Sequence, residues 1–286
     1  MLRIGWKLLL SCLAVALVVL AWRGMVDDLG RDYTQAGLSR ALITFGIARG
    51  LNGVISVAQG TEIAIEPAGI GVVLAPGQIL DPINDLVERF SWIMLASATS
   101  LGIQQVLLKV MAWPGLTLLL AVLLAATLVL LWWPRAVATG IRRWVYRLAL
   151  LLTILRFAIP LIAIGNELLY TAFLEPQYSD SRAQLEQSVE TIGAINQQSA
   201  APSSEAPSSS WLESAKRAYA SAADTVNVER RIEAFKLAAA DISEHAINLI
   251  VVFILQTILF PLLFLWLMLQ ALKAVIRTQF GLERRH

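Results

Sequence analysis

A cation and several hydrogen-bonding side chains of this sequence lie inside apolar stretches, where they could do chemistry. Arg156 and Glu167 fall within residues 148–173, and Gln256 falls within residues 247–272. An ionisable group at membrane depth is either a waypoint for an anion or a proton, or a polar contact that holds helices together. The first interpretation predicts a pathway, and the second predicts a structural contact between two helices.

We predict that Arg156 pairs with Gln256. Glu167 is too distant to neutralise Arg156, because it lies roughly 16 Å further along the same helix at a rise of about 1.5 Å per residue. Pro160 has no N–H for the carbonyl of residue 156, which leaves an acceptor free at that depth. Gln256 lies at a similar depth on the antiparallel last span and can supply hydrogen bonds there.

Two more predictions concern polar residues and prolines of the same spans. Near the outer surface, Glu167 is expected to form a polar cluster with His245 or Asn248. Pro160 and Pro261 are expected to kink the third and fourth spans, with an ordinary tolerated transmembrane proline as the alternative.

Residues for catalysis or metal binding are scarce. The sequence has two histidines and one cysteine, Cys12, so a zinc site or a catalytic triad has few groups to draw on. Asp241 and His245 are four apart on one helical face, a spacing that can bind a metal but more often forms a paired surface set. We therefore predict no catalytic residue, no metal ion, no cofactor and no enzymatic activity.

The composition excludes a soluble protein. Of the 286 residues, 57% are hydrophobic and 15% are charged, which is too apolar for a water-exposed surface. The formal net charge is only +2 and no basic block occurs, so no nucleic-acid partner is expected. The elements that position the polar residues must therefore be membrane-spanning helices, and the lipid bilayer is the first partner.

Four apolar runs are long enough to cross a hydrocarbon core, which needs about 20 helical residues. The predicted spans lie within residues 1–22, 115–133, 148–173 and 247–272. Tryptophans bracket the first two, as interfacial aromatic residues do. A cleaved signal peptide is the alternative for the first run.

Basic residues near the ends of these runs predict the orientation. They concentrate in the N-terminal segment, the loop 134–147 and the tail 273–286, whereas the two other connecting segments are net acidic. By the positive-inside rule, the chain is a multi-pass protein with the N-terminus and the C-terminus in the cytoplasm. The bias of arginine over lysine and the lack of a glycosylation sequon in the outer segments favour the bacterial inner membrane.

One stretch leaves the number of spans open. Residues 92–113 are apolar enough for a fifth or re-entrant segment, but Gln104, Gln105 and Lys109 interrupt them. A fifth full span would invert the orientation of every later segment. We therefore predict an amphipathic helix lying near the membrane surface.

The first outer segment, residues 23–114, is predicted to fold as an α-rich extracytoplasmic domain. Its first helix has an apolar face made of Leu38, Leu42, Phe45, Ala48, Leu51 and Ile55. Alternation over residues 61–66 and an extended run over residues 70–78 predict a short β-hairpin. Asp81 then has the position of an N-cap, with Pro82 opening a helix that extends towards residue 112.

The second outer segment, residues 174–246, is predicted to form a helical, coiled-coil-like hairpin. Residues 199–210 are rich in serine, alanine and proline, which predicts a flexible joint between its two helices. A heptad seam follows the joint and continues into the fourth span, at Val228, Ile232, Phe235, Ala239, Ile242, Ala246, Leu249, Phe253, Gln256 and Phe260. One long helix is therefore expected to run from this arm into the membrane.

Two functions fit these features. The first is a non-enzymatic integral membrane protein of the cell envelope, acting as a scaffold, sensor or assembly partner through its extracytoplasmic helices. Its partner would be another envelope protein or further copies of the chain in a homo-oligomer. The alternative is an oligomeric channel or transporter subunit with Arg156 in the pathway. Four spans are few for a transporter, and no inverted repeat is evident, which favours the first function.

Overall fold

The protein is almost entirely helical. The computed structural model describes the backbone of residues 2–60, 63–65, 72–74, 76–133, 139–199 and 211–281. Its α-helices are α1 (Leu2–Arg23), α2 (Met25–Gln59), α3 (Asp81–Met111), α4 (Pro114–Trp132), α5 (Thr139–Leu169), α6 (Glu175–Ser199), α7 (Trp211–Ile254) and α8 (Phe260–Gly281). Short π-helical turns, Tyr170–Leu174 and Leu255–Leu259, join α5 to α6 and α7 to α8. The helix predicted from Asp81 towards residue 112 is thus observed as α3.

Two extended segments pair between α2 and α3. Strands β1 (Ile63–Ile65) and β2 (Val72–Leu74) are antiparallel, with Ala64 opposite Val73. A 3-10 turn, Pro76–Leu80, follows them and leads into α3. Residues 66–71, which would form the turn, lie outside the described residues, so the predicted β-hairpin stays a prediction.

Among the residues that the structure describes, six helical stretches are long and apolar enough to cross a membrane, as in a multi-pass membrane protein. Four of them overlap the four predicted spans. The other two, Met25–Gln59 and Gln78–Met111, belong to the segment that the sequence placed outside the membrane. Length and composition therefore admit more spans than the four predicted.

The described chain divides into two compact units. Unit 1 comprises residues 1–39, 98–172 and 255–286, and unit 2 comprises residues 40–97 and 173–254. Unit 1 contains α1, α4, α5 and α8 together with the beginning of α2 and the end of α3. Unit 2 contains α6, α7 and the strands together with the rest of α2 and α3.

In unit 1, α1 packs antiparallel against α4, and α4 packs against α5. Small and branched apolar side chains form their shared core, namely Ala14, Ala21, Leu120, Leu124, Ala149, Leu152 and Phe157. At one end of this layer the indole N–H of Trp132 donates to Ser11 Oγ at 3.3 Å, and the Lys7 ammonium lies 5.8 Å from the centre of the Trp132 ring. The alanines let the backbones of α1 and α4 approach closely, as in other membrane helix pairs.

The buried face of α2 is made mostly of small residues spaced alternately by three and four. It consists of Asp27, Gly30, Thr34, Gly37, Ala41, Thr44, Ala48, Leu51, Ile55 and Ala58. The predicted face is right at Ala48, Leu51 and Ile55 but wrong at Leu42, which is exposed. The helix packs through its small side chains because they let neighbouring backbones approach, and Leu42 is turned outward.

In unit 2, α6 and α7 pack antiparallel. Gln177 Nε2 donates to Asn248 Oδ1 at 3.3 Å, and further along α6 Ser188 Oγ donates to Asp241 Oδ2 at 2.8 Å. The predicted seam on α7 is confirmed from Phe235 to Phe253, where its members are buried, whereas Ile232 and Phe260 at either end are only half-buried. Of the predicted joint at residues 199–210, Ser199 ends α6 and residues 200–210 lie outside the described residues, as does the side chain of Val228. The flexibility of the joint and the coiled-coil character stay predictions.

We expect opposite effects from alanine at two glycines of α2. A Cβ on Gly30 would lie 3.2 Å from Pro160 Cα and 3.3 Å from Leu108 Cδ2, whereas a Cβ on Gly46 would meet nothing within 4 Å. Gly46→Ala should raise or preserve the melting temperature, because alanine favours a helix over glycine by roughly 0.5–1 kcal/mol. Gly30→Ala should lower it. Thermal unfolding of both purified variants in the same detergent checks this, and equal shifts would contradict the close packing at Gly30.

Candidate functional site

The candidate site is a buried ion pair in unit 1 with two amide side chains beyond it. Arg156 on α5 donates through Nη1 to Asp27 Oδ1 at 2.6 Å and through Nη2 to Asp27 Oδ2 at 2.5 Å. Arg156 is 1% exposed and Asp27 is 2% exposed. A two-pronged contact of a guanidinium with a carboxylate is the strongest form of ion pair in geometry and specificity. The charge of Arg156 is therefore neutralised inside the protein.

Local features of the chain bring Asp27 to this position. Gly24, with φ of 67°, separates α1 from α2 in a left-handed conformation that suits glycine. Asp27 and Asp28 lie in the first turn of α2, where the helix dipole favours negative charge. Asp28 instead pairs with Arg31 at 2.9 Å on the exposed side, so neighbouring acids have separate partners. One helical turn beyond Asp27, Gly30 permits the close approach to Pro160 on α5.

The predicted pairing of Arg156 with Gln256 is wrong. Gln256 instead lies beside Gly37 and Asn166, and Asn166 is roughly 15 Å along α5 from Arg156 at a rise of about 1.5 Å per residue. The sequence interpretation assigned residues 23–114 to an outer domain and therefore did not consider Asp27. The three- and four-residue spacing of Asp27, Gly30 and Thr34 is the signal that could have found it.

Gln256 and Asn166 form a second polar contact, at the π turn before α8. In a π turn the carbonyl of Gln256 would accept from the N–H five residues later, and that residue is Pro261, which has none. Asn166 Nδ2 donates to this carbonyl at 2.9 Å. A side chain of α5 thus satisfies a backbone acceptor that the proline leaves free, as buried backbone in an apolar medium requires.

Three side-chain atoms of this site are buried without a hydrogen-bond partner among the described residues. They are Arg156 Nε, Asn166 Oδ1 and Gln256 Oε1. Buried polar atoms are nearly always hydrogen-bonded, so a group of unsatisfied atoms points to a functional location or to strain. Two of the three are amide oxygens, which accept hydrogen bonds or bind cations.

The prolines differ in their surroundings. Helix α5 continues through Pro160 without interruption, and Pro261 is the second residue of α8, directly after the π turn. The irregularity in the fourth predicted span is therefore the π turn that precedes Pro261. π turns inside α-helices are often found at functional sites. The predicted bends at Pro160 and Pro261 stay predictions.

The predicted outer cluster is only partly described. His245 and Asn248 belong to unit 2, where His245 Nδ1 lies 3.3 Å from Ser181 Oγ and Asn248 Oδ1 accepts from Gln177. Glu167 is a buried residue of unit 1. Its grouping with His245 and Asn248 stays a prediction.

Ser181, His245 and Asp241 form a chain of contacts that resembles a catalytic triad in residue type. His245 Nε2 lies 3.3 Å from Asp241 Oδ1, and Ser181 completes the chain on the other ring nitrogen. Ser181 is only 1% exposed, so a substrate carbonyl has no access to its Oγ. The contacts connect α6 to α7, and within the described residues no group of three potential metal ligands occurs.

We expect removal of either partner of the Asp27–Arg156 ion pair to destabilise the protein, and removal of both partners together to be tolerated better. Arg156→Met or Asp27→Leu should each lower the free energy of unfolding by about 3–5 kcal/mol, because each leaves a buried charge without its partner. The double variant Asp27→Leu with Arg156→Met should lose less than either single variant, since no charge remains buried. Unfolding in denaturing detergent measures all three.

The neighbouring exposed pair provides the control. Asp28→Ala removes the partner of Arg31 on the solvent-accessible side of the same turn and should change stability by less than about 0.5 kcal/mol. Additive losses in the double variant of Asp27 and Arg156 would show that the two side chains do not act as a pair.

Comparison with known proteins supplies no family. No protein-family model, no curated protein and no solved structure matches this chain. Its function is therefore inferred from the geometry and chemistry of its own residues.

Proposed function

We propose that this chain is a non-enzymatic integral protein of the bacterial inner membrane that acts as a scaffold, sensor or assembly partner. Four helices span the membrane in this proposal, with the N-terminus and the C-terminus in the cytoplasm. The helices of unit 2 face outward and bind another envelope protein or further copies of the chain. Support for the orientation comes from the basic residues that flank the spans on one side.

The observation that carries this proposal is the neutralised charge of Arg156. A relay or an anion pathway needs an ionisable group that can exchange partners during each cycle. Both terminal nitrogens of Arg156 are bonded to Asp27, and both residues are almost fully buried. Such a pair serves as a contact between α2 and α5, which favours a structural role for the membrane helices.

Unit 2 offers the surface for binding. Its helices α6 and α7 use their apolar seam to pack against each other and leave other side chains outward. Leu237 on α7 is exposed over 65% of its area, next to the exposed Lys236. Leu237 is therefore not used by the seam between α6 and α7 and is available for contact with a partner.

One observation favours the alternative function, an oligomeric channel or transporter subunit. Asn166 Oδ1 and Gln256 Oε1 are unsatisfied acceptors beside a π turn. Interrupted helices with free oxygen atoms are typical of ion sites in transporters. Such a pathway would include Arg156 only if its pair with Asp27 opened.

Deletion of most of α6 and the first part of α7, with the segment between them, tests the proposal. A variant lacking residues 184–240 should insert at normal levels and lose the proteins that cross-link to the wild-type chain in cells, including copies of itself. The double variant Asp27→Leu with Arg156→Met should keep them, because its changes lie in unit 1. Quantitative mass spectrometry of cross-linked membranes provides the measurement.

Point variants and a transport assay sharpen this test. Leu237→Glu should reduce the same cross-links, whereas Lys236→Glu, at the adjacent exposed position, should not. Purified wild-type protein in liposomes should conduct no ions above the level of protein-free liposomes. Retention of every cross-link in the variant lacking residues 184–240 would refute the scaffold role. Ion flux through the wild-type protein that the double variant abolishes would instead support the channel function.

A further inference from the structure

Basic and aromatic side chains lie together at one end of unit 1. The Lys7 ammonium of α1 lies 5.8 Å from the centre of the Trp132 ring of α4, and the Trp132 indole N–H donates to Ser11 Oγ at 3.3 Å. Helix α5 carries Arg143 and Arg147 near its beginning, and both are exposed. Together, Lys7, Trp132, Arg143 and Arg147 are called the basic end.

These residues lie at a similar distance from the shared core of α1, α4 and α5. Helix α5 follows α4 after the short link 133–138 and packs against it, so it runs back along α4 as α1 does. At about 1.5 Å per residue, the distance along each helix is roughly 9–12 Å, from Ala14 to Lys7, from Leu124 to Trp132 and from Ala149 to Arg143. Arg147 is one turn closer to the core. Three neighbouring helices therefore form the basic end.

An apolar surface begins directly beside the basic end. Exposed side chains of α1 and α4 next to it are aliphatic, including Leu8, Leu9 and Val129. Between Lys7 and Arg23, which are roughly 24 Å apart along the helix, α1 contains no charged residue. Helix α4 contains none either and is roughly 28 Å long. Both lengths are close to the hydrocarbon thickness of about 30 Å, so the basic end lies at the level of the headgroups when α1 and α4 cross a bilayer.

The segments that form the basic end contribute positive charge alone. No aspartate or glutamate occurs in residues 1–26 or in residues 89–166. After the other end of α1, by contrast, the exposed Asp28 pairs with Arg31, so acidic and basic residues are mixed there. Cations that are grouped in this way create a positive potential, which attracts anions to one end of unit 1.

We infer that the basic end binds the phosphate groups of anionic phospholipids. An arginine can hold a phosphate with two N–H donors, and a lysine supplies a point charge. Trp6, Trp133 and Trp144 are exposed next to these residues in the chain. Indole rings favour the level of the headgroups because they are apolar and carry one polar N–H. The basic end therefore has both the charge and the aromatic side chains that this level requires.

A phospholipid fits this surface better than a soluble anion or an acidic peptide. Its phosphate meets the basic end, while its acyl chains follow the aliphatic side chains that begin at Leu8 and Val129. A soluble anion or an acidic peptide would match the charge and leave the aliphatic surface uncovered. The inference rests on the membrane location of α1 and α4 in the proposed function. It adds a ligand of unit 1 that is independent of the partner of unit 2.

Lipid binding by matched variants of the full chain tests the inference. One triple variant, Lys7→Gln with Arg143→Gln and Arg147→Gln, removes the charges of the basic end. The control, Arg49→Gln with Lys109→Gln and Lys236→Gln, removes the same charge from exposed positions elsewhere. Native mass spectrometry with phosphatidylglycerol or phosphatidylcholine measures the affinities.

The first triple variant should bind phosphatidylglycerol at least about tenfold more weakly than the wild type, because each basic residue beside anionic lipid contributes about fivefold in affinity. The control should change by less than about twofold. The charge-keeping variant Lys7→Arg with Arg143→Lys and Arg147→Lys should also retain binding. If the first triple variant does not fold, Arg143→Gln is compared with Arg49→Gln, with an expected loss of about fivefold against less than about twofold.

Several results would overturn the inference. Equal affinity of the wild type for the two lipids is one, and equal losses in the two glutamine variants are another. Displacement of phosphatidylglycerol by inorganic phosphate would also overturn it, since the basic end would then bind a soluble anion. The cross-links of unit 2 should persist in the first triple variant. A wild-type protein that keeps those cross-links but binds no phosphatidylglycerol would refute the lipid site and leave the proposed function intact.

Discussion

Unit 1 depends on the need to neutralise one buried cation. Arg156 has almost no exposed surface, so its charge must be matched within the protein, and Asp27 matches it with both carboxylate oxygens. This contact requires the start of α2 to lie against α5. Gly24 allows the chain to leave α1 in the necessary direction, and Gly30 allows the two backbones to approach at Pro160. A single electrostatic requirement thus explains two glycines and the position of a helix end.

The same reasoning applies to backbone groups. Pro261 cannot donate to the carbonyl of Gln256, and Asn166 on α5 does so in its place. The helix forms a π turn there instead of ending, so the fourth predicted span stays helical on both sides. These three features therefore belong together: Pro261 leaves the carbonyl at the π turn without a donor, and Asn166 of α5 supplies one. Such a replacement is needed in an apolar medium, where no water can hydrogen-bond to the carbonyl.

Some of this could be predicted from the sequence and some could not. Apolar runs and the seam from Phe235 to Phe253 depend on periodicity along one helix, so both the helices and the buried face of α7 could be read. The partner of Arg156 depends on which helices are neighbours, which is a property of the tertiary structure. Hydrophobic periodicity also misleads on α2, where Leu42 is outward because small side chains form the contact. Asp27 belongs to that small-residue face, within a segment that the sequence predicted to lie outside the membrane, so it was not considered as a partner for Arg156.

The ion pair and the amide pair differ in what they can contribute to function. An ion pair in an apolar site stabilises little relative to well-packed leucines, but its two-pronged geometry permits one register of α2 against α5. A role in specifying the arrangement of helices suits the proposed scaffold, in which unit 2 binds the partner. The amides are less constrained, because Asn166 and Gln256 each keep one buried oxygen without a donor among the described residues. Any ligand bound in the interior of unit 1 would therefore contact these oxygens, which can still accept hydrogen bonds, and not Arg156, whose two terminal nitrogens already donate to Asp27.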